Sequence, residues 1–124
     1  SLAFGTTALP TYDGSDFAKN QDVVVISLAY RLNVFGFPMA EDLTPQETNL
    51  GFLDQELAFQ WVQNNIAQFG GDLQKVTIMG QFAGAQSVSG AFLQHNSTNA
   101  PFRASIILSG AVTHTFSVTN HTPF

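Results

Sequence analysis

The sequence predicts an α/β domain in which parallel strands are flanked by helices, and three observations predict it. Residues 23–29, VVVISLA, are a near-continuous apolar run without helical spacing, the pattern of a parallel strand covered on both faces. Residues 76–79, VTIM, are a second run of strand formers that meets Gly80, after which Val88 and Phe92 repeat at helical spacing. Residues 104–108, ASIIL, read as another buried strand, so the visible order is strand, helix, strand, helix, strand. With 124 residues and 44% hydrophobic composition, the chain is long enough for one modest core and too short for two domains.

Taken in order, residues 1–21 are rich in Gly, Thr, Ser and Asp and carry no periodic signal. The first apolar run is followed by Tyr30 and Arg31, and a structural ion pair or loop hydrogen bond is the reading for the arginine. Residues 38–49, with two prolines and three acids, predict an exposed loop. Asn49 then caps a helix in which Leu53, Leu57, Trp61 and Ile66 form an apolar stripe, ending at Gly70 and Gly71. Trp61 reads as core in preference to an aromatic binding platform. Residues 95–103 are a polar loop, and the Thr-rich tail from 112 to 124 has no clear period and is expected to be poorly ordered.

The net charge of −5 comes from nine acidic and four basic side chains, with no basic stretch to follow a phosphate backbone, which argues against nucleic acid as a partner. No apolar run approaches the roughly 20 residues that span a bilayer, so no transmembrane segment is expected. The absence of cysteine removes disulfides, zinc thiolate sites and thiol catalysis together. Ser1 stands first, with no signal-type sequence before the domain, and the chain reads as an internal piece. Asn96 and Asn120 each begin an N-x-S/T triplet, the acceptor pattern for glycosylation.

The chemistry-bearing stretch is the turn at residues 80–84, GQFAG. Glycines at both ends of a strand-to-helix turn, Gly80 and Gly84, frame a middle residue whose side chain stands clear of the sheet. Such a frame resembles the nucleophile elbow of α/β-hydrolases, whose middle position carries a serine, and here that position holds Phe82. A phenyl ring has no lone pair or acidic proton for a base to act on. A phosphate cradle is disfavoured, because neither a following Lys-Ser/Thr pair nor a G-x-G-x-x-G spacing is present.

Residues 50–93, from LGFLDQELAFQWV through NNIAQFGGD to VTIMGQFAGAQSV, resemble the central block of the type-B carboxylesterase and lipase family, which includes the cholinesterases and fungal lipases. AYRLNVFGFP upstream and FRASIILSGA downstream extend the resemblance over roughly residues 4 to 111. It implies a partial α/β-hydrolase fold over 1–124, truncated at both ends, with an ancestral carboxylic ester as substrate. In that family the glycine-rich oxyanion loop would precede Ser1, and the acid and histidine of the triad lie far downstream. By the same resemblance Phe82 takes the nucleophile's position and Ala83 offers an oxyanion-hole N–H, while no metal or cofactor is implied. His95, His114 and His121 match no catalytic position and read as loop or surface residues. Ser87 and Ser89 read as helix hydroxyls bonded to backbone, with Ser87 as replacement nucleophile the minor alternative. A non-catalytic binding protein of the neuroligin type is the competing reading, and a secretory location is implied only for a full-length parent. Oligomeric state is not legible. Two further expectations follow: Phe82 should carry backbone strain, and the strand missing between residues 23–29 and 76–79 should leave a gap and unpaired edges that favour association.

Overall fold

The computed structural model describes residues 1–44, 47–95 and 98–110. Its centre is a parallel pair of strands, β1 (Thr77–Gln81) and β2 (Ala104–Leu108), in register from Thr77 opposite Ala104 to Gln81 opposite Leu108. Helix α4 (Ala83–Gln94) connects them, as a parallel pair requires. Upstream lie α1 (Ser15–Gln21), a single turn α2 (Asn33–Gly36), and α3 (Leu50–Asn65), which tightens into the 3-10 segment Ile66–Phe69. This is an α/β arrangement with a two-stranded sheet.

Small side chains let α4 lie close to the sheet: Ala83, Ala85, Val88 and Ser89 are its buried residues. Ile78 from β1, Val88 from α4 and Phe102 from the loop before β2 form the core, with Phe59, Val76, Ala91 and Ala100 packed on it. Phe59 brings α3 to this core, its ring edge-on to Phe102 at 5.9 Å. Polar bonds fasten the same helix: Gln55 Nε2 donates to Ser87 Oγ at 3.3 Å, and Gln63 Nε2 to the Pro101 carbonyl at 2.7 Å.

The helix at 50–65 ends as its sequence predicts, with Gly70 at φ 80° and the Gly71 N–H returning to the Ile66 carbonyl at 3.0 Å. Its start differs in detail. Asn49 occupies the N-cap position, but its side chain makes no cap hydrogen bond; its carbonyl takes the N–H groups of Phe52 and Leu53. The apolar stripe is where expectation and structure part. Ile66 is buried, yet Leu53, Leu57 and Trp61 are 48%, 62% and 46% exposed. Gly51, Gln55 and Phe59 face the molecule instead, and the stripe lies on the opposite side of the cylinder, so Trp61 is not core and its ring sits 5.8 Å from that of Phe69.

The first apolar run also behaves differently. Residues 23–29 enter no sheet among the described residues, and Val23, Val24, Val25 and Ile26 are all more than 40% exposed. No backbone hydrogen bond joins them to β1 among the described residues, so the two runs do not pair directly. β2 forms over the expected residues but is not covered on both faces, since Ile106, Ile107 and Leu108 are each more than 40% exposed. A two-stranded sheet with one crossing helix has too little surrounding structure to bury both faces. α1, which sequence reading missed, starts behind Asp13, whose carboxylate accepts the Ser15 N–H at 3.0 Å. The Ser15 hydroxyl first, and that backbone contact second, hold the Asp13 carboxyl below its usual pKa. The expected loop over residues 38–49 is largely exposed where described, and the tail beyond 110 lies outside the described residues. Among the described residues no helix is long and apolar enough to cross a membrane.

Candidate active site

The turn between β1 and α4 is the most strained point of chemical interest. Phe82 has φ 53° and ψ −112°, a positive φ that costs a bulky residue about 1–3 kcal/mol and persists only when its surroundings over-determine it. Its ring is 75% exposed, so the side chain stands clear of the sheet. The Phe82 N–H donates to the Leu108 carbonyl of β2 at 2.9 Å, and its own carbonyl accepts the first α4 bond from Gln86 at 3.0 Å.

The two framing glycines are not equivalent. A Cβ on Gly80 would lie 2.2 Å from the Gly84 carbonyl oxygen, which is backbone and cannot rotate away. A Cβ on Gly84 would meet nothing within 4 Å, so its side chain is not what the turn excludes. Sequence reading missed Gly110, where a Cβ would come 2.6 Å from Ala85 Cβ and 2.8 Å from the Phe82 carbonyl oxygen. Nothing in a strand-turn-helix pattern points so far downstream to that contact.

Ala83 is buried at the first position of α4. Because the first helical bond comes from Gln86, the N–H groups of Ala83, Gly84 and Ala85 precede the intrahelical ladder and point out of the helix start. Ser87 follows one turn later, donating its hydroxyl to the Ala83 carbonyl at 3.1 Å while accepting from Gln55. That is the structural role expected of a helical serine.

His95, expected as a loop or surface residue, does follow α4 in a non-helical position, but its side chain is not on the surface. It caps the far end of α4, half-buried, with Nε2 2.9 Å from Glu56 Oε2 and its ring edge-on to Phe102 at 5.9 Å. Twelve helical residues, about 18 Å at 1.5 Å each, separate it from Phe82, so it cannot serve as base there. His114, His121, Asn96 and Asn120 lie outside the described residues.

Arg31 forms the structural ion pair its position suggested. Nε and Nη2 bond the two Asp54 oxygens at 2.8 and 2.7 Å, and the Arg31 backbone N–H adds a third bond at 2.9 Å. The guanidinium holds the Asp54 carboxyl below its usual pKa, and the carboxylate raises Arg31 in turn. This pair ties the segment after residues 23–29 to α3, away from the turn.

Residues 1–124 match the sequence pattern of the Carboxylesterase family. The chain is 41% identical over 111 residues to a cholinesterase of Mus musculus, covering 79% of this chain and 18% of that protein. It is 52% identical over 85 residues to cholinesterase 1 of Branchiostoma lanceolatum, covering 68% and 24%. With an acetylcholinesterase of Bungarus fasciatus it shares 42% identity over 106 residues, covering 86% and 17%. The chain therefore spans a quarter or less of the length of these relatives.

Proposed function

The chain belongs to the carboxylesterase family, and from that premise we propose that it is part of an α/β-hydrolase fold whose nucleophile position is held by Phe82, and that it does not itself turn over esters. The observation that carries this reading is the conformation of residue 82. A backbone at φ 53° between a strand and a helix presents its side chain clear of the sheet, where a serine would attack an ester carbonyl and form an acyl-enzyme. The phenyl ring there supplies no attacking atom.

The Ala83 N–H is the proposed surviving oxyanion donor. One donor without nucleophile or base gives negligible turnover, since loss of a single donor from a complete site already costs about 10²–10³ in rate. The substrate class proposed for the longer protein is a carboxylic ester. Purified chain should show no saturable hydrolysis of p-nitrophenyl acetate, and Phe82→Ser alone should not create it, because among the described residues the histidine, His95, lies at the far end of α4 from residue 82. Saturable turnover abolished by Ser87→Ala would instead show a recruited serine and overturn the reading.

A binding role on the same scaffold is the second reading, favoured by the large exposed ring at position 82. The neighbouring coding sequence separates the two. An upstream glycine-rich oxyanion loop with a downstream acid and histidine supports an enzyme ancestry retained in full, and a long chain lacking them supports binding.

A further inference from the structure

We propose that the Ser109 turn and Gly110 are a brace for the strained turn, with Gly110 a positioning residue that holds the backbone of residue 82 at positive φ. This goes beyond the functional reading above, because it concerns how the turn is held whatever side chain it carries.

Three observations converge on it. The Phe82 N–H is tied to Leu108, the last residue of β2, at 2.9 Å. The chain then turns at Ser109, which itself has φ 54°. That turn brings Gly110 so close that an added Cβ would lie 2.6 Å from Ala85 Cβ and 2.8 Å from the Phe82 carbonyl oxygen. Neither obstacle can rotate away, one being a methyl fixed to a helix and the other backbone. The Phe82 carbonyl is also the acceptor of the first α4 bond, from Gln86 at 3.0 Å, so pushing it aside disturbs the helix start. Residue 82 is thus held at its N–H by β2, at its carbonyl by α4, and against relaxation by the Gly110 backbone. A positive φ in a bulky residue needs this kind of over-determination.

The chain has no cysteine, so Phe82→Cys introduces a single thiol on the turn at the start of α4. The rate of its alkylation by iodoacetamide against pH gives the thiol pKa. A thiol at a helix N-terminus titrates below the ordinary value of about 8.5, and that is the expected result for Phe82→Cys. Adding Gly110→Ala should return the pKa to the ordinary range and slow alkylation at pH 7 by about fivefold or more. Adding Ala85→Gly to that pair removes one obstacle and should recover part of the shift. Adding Phe59→Leu to Phe82→Cys instead, which loosens the core without touching the turn, should leave the lowered pKa in place. An ordinary pKa in Phe82→Cys itself would overturn the brace, as would a pKa unmoved by Gly110→Ala or moved equally by Phe59→Leu.

Discussion

The unit β1–α4–β2 and the outer side of α3 both carry large apolar side chains and are differently placed in the structure. In the first, Ile78, Val88 and Phe102 close on one another, and the paired strands satisfy each other's backbone groups. In the second, Leu53, Leu57 and Trp61 follow one another at four-residue spacing along a helix side that faces solvent, and residues 23–29 have strand composition without a ladder among the described residues. The difference teaches that apolar periodicity specifies what a segment can bury, while burial itself depends on a second surface. An apolar helix side is built for cover, and among the described residues the side of α3 carrying Leu53, Leu57 and Trp61 stays largely exposed.

That contrast is open to direct attack by mutation. Phe102→Ala removes a core ring and should cost about 3–5 kcal/mol in urea unfolding, whereas Leu57→Ala should change stability by no more than about 0.5 kcal/mol. Equal losses at the two sites would mean that the stripe is buried in solution and would erase the contrast. Within the packed unit, Gly80→Val drives a side chain into the Gly84 carbonyl and should cost about 3 kcal/mol. Phe82→Gly has the opposite sign, releasing strain for a gain of about 1 kcal/mol. A destabilised Phe82→Gly protein would show that residue 82 is relaxed.

The smallest effect belongs to Arg31 and Asp54, which lie outside the packed unit. Asp54 is depressed in the folded state, so its contribution is present above the ordinary aspartate pKa of about 3.9 and is lost as pH falls through the lower folded value. Arg31 is raised, so its contribution persists throughout that range and fades only above the ordinary arginine pKa. Stability measured from pH 6 downward should therefore fall on the acid side of pH 4, and Asp54→Asn should flatten that fall. The half-exposed guanidinium keeps the effect well below that of the core substitutions. An unchanged acid limb in Asp54→Asn would assign the fall to other carboxylates.

Much of the packed unit was legible in the sequence. The run at 76–79 lies at the start of β1, 104–108 coincides with β2, and the change of period after Gly84 marks α4, because strand formers ending on glycine and a following four-residue spacing have few alternative local structures. The Arg31 ion pair was legible by residue type. Trp61 and Leu57 were misread because periodicity reports which side chains share a face and says nothing of what covers it. The burial of His95 was not legible, because its partner, Glu56, comes from a distant helix. Gly110 was invisible for the same reason: the close approach that demands glycine is made by α4 and the turn before it.

The single-helix connection between β1 and β2 has a kinetic consequence. Parallel pairing usually folds slowly because its contacts are distant along the chain, yet here the pairing, the crossing helix and the strained turn all fall within residues 77–110. That segment holds most of what it needs to close as one cooperative unit and should be the last to open. Amide exchange should be slowest at Gly80 and Ile106, whose N–H groups face the partner strand, and fast across residues 23–29, with uniform protection over both excluding such a hierarchy. During synthesis, residues 23–29 leave the ribosome long before β2 exists, so a strand-forming apolar run waits in solvent while the first stable nucleus of the chain is still being made.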